Sequence, residues 1–116
     1  KLGIDYKWYF RRPNILNELT KEQKYTIAKF YKLYIERSNN GETEIVANFF
    51  GDAKDARENY FCDRDYQDFL TNCQILIQNK YLTGEILDDN IYNISILNKT
   101  FIEFEQNFGW TWMSQL

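Results

Sequence analysis

The sequence predicts an α+β, helix-rich single domain in which several helices lead to a two-stranded β-hairpin in the C-terminal half and then to one more helix. Three observations carry this expectation. Apolar residues recur at three- and four-residue spacing in residues 20–37 and again in 63–78, the period of a helix that buries one face. Two runs of strand-forming residues, 81–87 and 91–97, flank the turn-forming Asp88-Asp89-Asn90. A single proline and five glycines suit helices with few tight turns.

Composition agrees with a packed domain. At 116 residues the chain is one folding unit, able to bury roughly two-thirds of the surface its unfolded form exposes. Aromatic residues make up 18% of it, far more than a disordered chain carries. Heavy use of Ile, Asn, Lys and Tyr with little Ala matches the codon bias of an AT-rich genome, such as that of a low-GC bacterium or its phages. No run approaches the roughly 18 apolar residues of a membrane span, and no signal-peptide pattern stands out. Cys62 and Cys73 are separated mostly by expected helix, which at about 1.5 Å per residue holds them roughly 15 Å apart, beyond disulfide reach. Two reduced thiols and a cytoplasmic location are therefore expected.

In chain order, residues 1–19 form an arm in which Lys7-Trp8-Tyr9-Phe10-Arg11-Arg12 sets three aromatics between basic residues, with Pro13 behind them. Three readings fit: aromatics laid on the domain, a nucleic-acid contact by stacking and phosphate pairing, or a dimer contact. Thr20-Lys21-Glu22-Gln23 has the form of a capping box, a Thr cap answered by Gln three residues on. The helix behind it buries Ile27, Phe30, Tyr31 and Tyr34 and ends at Ser38-Asn39-Asn40-Gly41. Residues 43–50 read as strand or as one or two helical turns, with helix favoured. Asp52 caps a short helix carrying Ala53, Ala56 and Tyr60. Asp63 is expected to cap the central helix, which buries Tyr66, Phe69, Leu70, Cys73, Leu76 and Ile77. In the second strand Tyr92, Ile94 and Ile96 alternate with Ile91, Asn93 and Ser95, which predicts Tyr92, Ile94 and Ile96 on one face. Asn98 is expected to cap the last helix and Gly109 to close it. The organisation is thus an arm (1–19), a domain (20–108) and an aromatic tail (109–116) containing Trp110 and Trp112.

Catalytic chemistry finds little footing. The chain has no histidine, which removes the commonest general base and metal ligand. Two cysteines do not make a structural zinc site, and the glycines stand apart rather than forming a phosphate loop. Around Asp63-Arg64-Asp65-Tyr66-Gln67-Asp68, a calcium loop of the EF-hand type needs Gly at its sixth position and an acid at its twelfth, where Asp68 and Gln74 stand. The cluster reads as a capped, charge-complemented helix start. No enzyme activity, metal or cofactor is expected.

The order of these elements resembles the winged-helix proteins. Residues 79–86 followed by 92–101 are similar to the wing of small phage and prophage members, in which a helix runs into the wing's first strand and the second strand into a capped helix. The resemblance covers about residues 20–108. It implies DNA binding, with the third helix in the major groove and the wing on the backbone. The charge pattern departs from that. Residues 1–40 hold nine Lys and Arg against four acids, a balance of +5, whereas residues 41–116 hold five against thirteen, a balance of −8. Asp63, Asp65 and Asp68 crowd the start of the third helix, and Asp88 and Asp89 occupy the wing tip, where phosphates would repel them. Two functions follow. In the first, a regulatory or interaction protein of a phage or mobile element binds a protein partner through the acidic face Asp63, Asp65, Asp68, Asp88 and Asp89. In the second, a DNA-binding regulator, read also as a symmetric homodimer, uses Lys7, Trp8, Arg11, Arg12, Lys21 and Lys24.

Overall fold

Thr20 starts the first helix as its sequence prescribes. Its hydroxyl accepts the Gln23 N–H while the Gln23 carboxamide accepts the Thr20 N–H, closing the capping box. In the computed structural model, which describes residues 18–114 with side chains as far as Gln106, the helices are α1 (Lys21–Asn39), α2 (Glu44–Ala47), α3 (Ala53–Tyr60), α4 (Tyr66–Gln78) and α5 (Asn98–Ser114). Between α4 and α5 lies an antiparallel hairpin of β1 (Leu82–Leu87) and β2 (Asn90–Ile96). The chain is therefore α+β and helix-rich, with the hairpin after the run of helices. The arm residues Lys7, Trp8, Arg11 and Arg12, and the side chains of Trp110 and Trp112, lie outside the described residues.

Neighbouring residues on α1 bury in two directions and organise the core. Phe30 packs toward α3 and α4, its ring 5.0 Å from Phe50 and 5.2 Å from Phe61, with Phe69 tilted against Phe61 at 4.7 Å. Tyr31 packs toward α5, stacked on Phe104 at 4.7 Å and edge-on to Phe101 at 5.7 Å. All of these except Phe101 are buried. Each such ring contributes roughly 1.5–3 kcal/mol by leaving water.

Residues 43–50 resolve into the four-residue α2, capped by Thr43, followed by a segment fastened to β2. The Phe50 N–H donates to the Ile94 carbonyl (3.0 Å) and the Ile94 N–H to the Gly51 carbonyl (2.9 Å). Asn48 bonds the Ile96 backbone in both directions, donating at 3.0 Å and accepting at 2.7 Å. Arg37 holds the same segment from α1, donating to the carbonyls of Ala47 (3.4 Å) and Phe49 (2.9 Å) and to the Tyr60 hydroxyl (2.7 Å).

The hairpin corrects two expectations, the length of the turn and the phase of the second strand. Leu87 pairs with Asn90, so the turn is the two-residue Asp88-Asp89, with Asp88 at φ 56°, a left-handed conformation that Asp tolerates. Thr83 pairs with Ser95 but Glu85 with Tyr92, so Gly84 alone faces Asn93 and Ile94. That extra residue is a β-bulge, and Asn93 absorbs it at φ 58°. It reverses the strand's phase. Ile91 is buried and Tyr92 exposed, and only beyond the bulge do Ile94 and Ile96 point inward as expected. Gly84 is required at the bulge, since a Cβ there would sit 2.6 Å from Ile91 Cγ2.

Three boundaries also move. Asp65, not Asp63, caps α4: its backbone is extended (φ −63°, ψ 136°) and its carboxylate accepts the Asp68 N–H at 3.1 Å. Asp63 stays in the α3–α4 connection, where the Arg64 N–H closes a turn on the Phe61 carbonyl. Asn98 is itself helical, the Leu97 carbonyl accepting the Thr100 N–H. Gly109 does not close α5, which continues to Ser114; one glycine weakens a helix by about 1 kcal/mol without ending it.

Candidate functional site

Four of the five carboxylates singled out in the sequence sit on two elements that one tyrosine joins, and Asp63 lies in the connection just before them. Asp65 and Asp68 stand at the N-terminus of α4, exposed, where the helix dipole favours negative charge. Asp88 and Asp89 form the exposed hairpin turn. Between them Tyr66, the first residue of α4, donates its hydroxyl to the Asp89 backbone carbonyl. Burial raises the Tyr66 phenol above its ordinary pKa, and the neighbouring carboxylates of Asp52 and Asp89 add to the rise. The turn is also pinned from within. The buried Asn90 side chain accepts from the N–H groups of Ala53 (3.1 Å) and Lys54 (3.3 Å) at the start of α3, and from its own neighbour Ile91 (2.8 Å). The hairpin tip is thereby fixed against the N-termini of both α3 and α4.

Asp63, Asp65 and Asp68 meet on a cleft of about 600 Å³ between the N-terminal turns of α1 and α4, which Glu22 and Arg64 also line. Among the described residues Arg64 is the one cation in its wall, and it is engaged. Its guanidinium pairs with Glu22 and lies 4.5 Å over the Tyr25 ring. Its Nε, buried and without a hydrogen-bond acceptor, is 3.8 Å from the Asp63 carboxylate. The outward surface of α4 offers Gln67, Asp68, Thr71 and Gln78 exposed, with Asn72 and Gln74 half-buried. No Lys or Arg occurs anywhere in that helix. The hairpin adds exposed apolar side chains beside its carboxylates: Leu87 is 60% accessible and Ile86 49%.

The basic candidates fare differently. Lys21 and Lys24 lie in the first turn of α1, and each is engaged in a contact. Lys7, Trp8, Arg11 and Arg12 fall outside the described residues. Of the other described cations, Lys54 and Lys80 are exposed, while several are bound up in the fold. Lys29 lies over the rings of Phe61 (5.1 Å) and Tyr25 (5.9 Å), and Lys99 pairs with Glu18 at 2.7 Å. Among the described residues no group of His, Cys, Asp and Glu has the arrangement of a metal site. The buried Cys73 thiol is pushed well above its ordinary pKa by desolvation, while Cys62 is exposed. No helix among the described residues is long and apolar enough to cross a membrane.

Sequence reasoning missed Tyr66 and Asn90 as the residues that assemble this face. Tyr66 carries the helical spacing of a core residue, and Asn90 reads as ordinary turn chemistry. A polar residue immediately before a strongly apolar strand was the one available sign. In comparisons with known proteins, the chain matches no protein-family model, no curated protein and no solved structure.

Proposed function

We propose that this chain is a non-enzymatic, winged-helix-type interaction domain that binds a protein partner with a basic surface through the face built from the start of α4 and the hairpin turn. The winged-helix reading is supported by the order of elements: a helix, a segment bonded along β2, two helices, a hairpin and a closing helix. The observation that carries the functional reading is the Tyr66–Asp89 hydrogen bond. It holds the backbone of the hairpin turn that carries Asp88 and Asp89 to the first residue of α4, a helix with no cation of its own. Duplex DNA is disfavoured by that charge, because phosphate neutralisation supplies most of a protein's affinity for it. A basic protein surface is favoured, since complementary charge steers association. The exposed Ile86 and Leu87 give such a partner apolar area to cover.

The test is fluorescence anisotropy of mixed-sequence duplex DNA with the full chain at about 50 mM and about 200 mM salt. No binding at the lower salt is expected. Micromolar binding that collapses at the higher salt would replace this reading with a DNA-binding regulator working through the basic N-terminal half.

A further inference from the structure

On a different face, α1 and α5 touch at Tyr31–Phe104 and Tyr34–Phe101, and a groove of about 850 Å³ lies along the C-terminal half of α1 and the first turns of α5. Tyr34, Ile35, Phe101 and Ile102 supply its aromatic and aliphatic surface, and Ile102 is 50% accessible. Two carboxylates, Glu44 and Glu105, also line it, with no Lys or Arg in its wall among the described residues. Neither forms an ion pair among the described residues.

The chain itself carries a segment of the matching chemistry. Lys7-Trp8-Tyr9-Phe10-Arg11-Arg12 puts three aromatics between three cations. Seventeen residues precede Glu18, whose carboxylate is held at 2.7 Å by Lys99 in the first turn of α5. Lys99 is next in sequence to Asn98, which lines the groove. Lys99 also donates to the Asn79 carbonyl and lies over the Tyr81 ring, so the arm joins the domain beside the first turn of α5, one helix face round from Asn98 and Ile102. Trp8 is ten residues from that anchor, a reach of up to about 33 Å, while the α5 wall from Asn98 to Glu105 is only about 10 Å long. We propose that the groove is the docking site of this chain's own N-terminal arm, with Trp8, Tyr9 and Phe10 on the apolar surface and Lys7, Arg11 and Arg12 facing Glu44 and Glu105. The arm's cations are then neutralised on the domain. This inference is independent of the partner assigned to the acidic face.

A nitroxide at Asp5→Cys in a full-length Cys62→Ser background tests it by paramagnetic broadening of amide resonances. In isotopically labelled chains diluted into unlabelled ones, selective signal loss at Ser38, Asn39 and Ile102 is expected. Glu44→Lys with Glu105→Lys, or Ile102→Glu alone, should restore those signals. All three positions are solvent-exposed, so the fold should tolerate the changes. Broadening spread evenly, or centred on another face, would overturn the proposal. So would broadening seen only when nitroxide-bearing unlabelled chains are mixed with labelled chains, which would assign the groove to a second copy's arm. Signal loss that persists in both groove variants would overturn it as well.

Discussion

The hydroxyl of Tyr66 donates to the backbone carbonyl of Asp89, so the first residue of α4 holds the hairpin turn in place. The bond links two exposed, acidic pieces of the chain that lie more than twenty residues apart. Because the phenol is only partly buried, Tyr66→Phe should cost little stability, about 1 kcal/mol or less. It should loosen the turn selectively. Amide hydrogen exchange of residues 88–90 is expected to accelerate while that of the buried α1 amides is unchanged. Equal protection in both proteins would mean that the bond does not restrain the turn.

Asn90 is a stronger support. Its carboxamide oxygen satisfies three backbone N–H groups, two of them at the N-terminus of α3. Asn90→Ala leaves those donors without their acceptor in a buried site and should destabilise by about 1–3 kcal/mol in chemical denaturation. Asn90→Asp keeps the acceptor and places charge at a helix N-terminus, so its loss should be the smaller of the two. Equal losses would show that the residue's size, not its oxygen, matters.

At the bulge, Gly84→Ala forces a Cβ to within 2.6 Å of Ile91 Cγ2 and 3.2 Å of the Tyr92 carbonyl. An overpacking cost of about 1–3 kcal/mol is expected. Combining it with Ile91→Ala should recover part of that cost, which a double-mutant cycle measures directly.

Local signals in the sequence were faithful where the physics is local. The Thr20–Gln23 capping box, the Asp52 cap of α3 and the Asn79-Lys80 stop of α4, with Lys80 at φ 70°, all stand where the residues place them. The misplaced α4 cap is a choice between two aspartates, Asp63 and Asp65, that backbone conformation decides. The inverted phase of Ile91 and Tyr92 has another origin. A bulge is a property of two paired strands, and neither Gly84 nor Asn93 announces it alone. For the candidate site, the identity and exposure of the five carboxylates were legible. That Tyr66 and Asn90 draw the helix start and the turn together was not, because both act across long sequence separations.

Glu18 and Lys99 give the fold a defined acid sensitivity. The Lys99 hydrogen bond holds the Glu18 carboxyl below its ordinary pKa of 4.5, against a smaller opposing effect of burial. A carboxyl whose folded pKa is lowered stabilises the fold above its unfolded pKa and loses that contribution as pH falls through the folded value. Thermal melts of the wild type and Glu18→Gln should therefore differ near neutral pH, with the wild type higher, and converge in acid below the folded pKa. The pair is partly exposed, so the neutral-pH gap should be small and shrink with salt. A gap that persists unchanged in strong acid would mean that the charge is not its source.

The acidic face is tested most directly by reversing its charge without removing the α4 cap. Asp63→Lys with Asp68→Lys leaves the Asp65 cap in place. The full chain and this variant, matched for folding by circular dichroism, would be compared by quantitative cross-linking in a lysate of the cells that encode the protein. Cross-links from residues 63–72 and 88–90 to a basic protein surface are expected for the wild type and should be lost in the variant. Cross-links that survive the reversal unchanged, or that map elsewhere on the chain, would contradict an acidic α4–hairpin binding face.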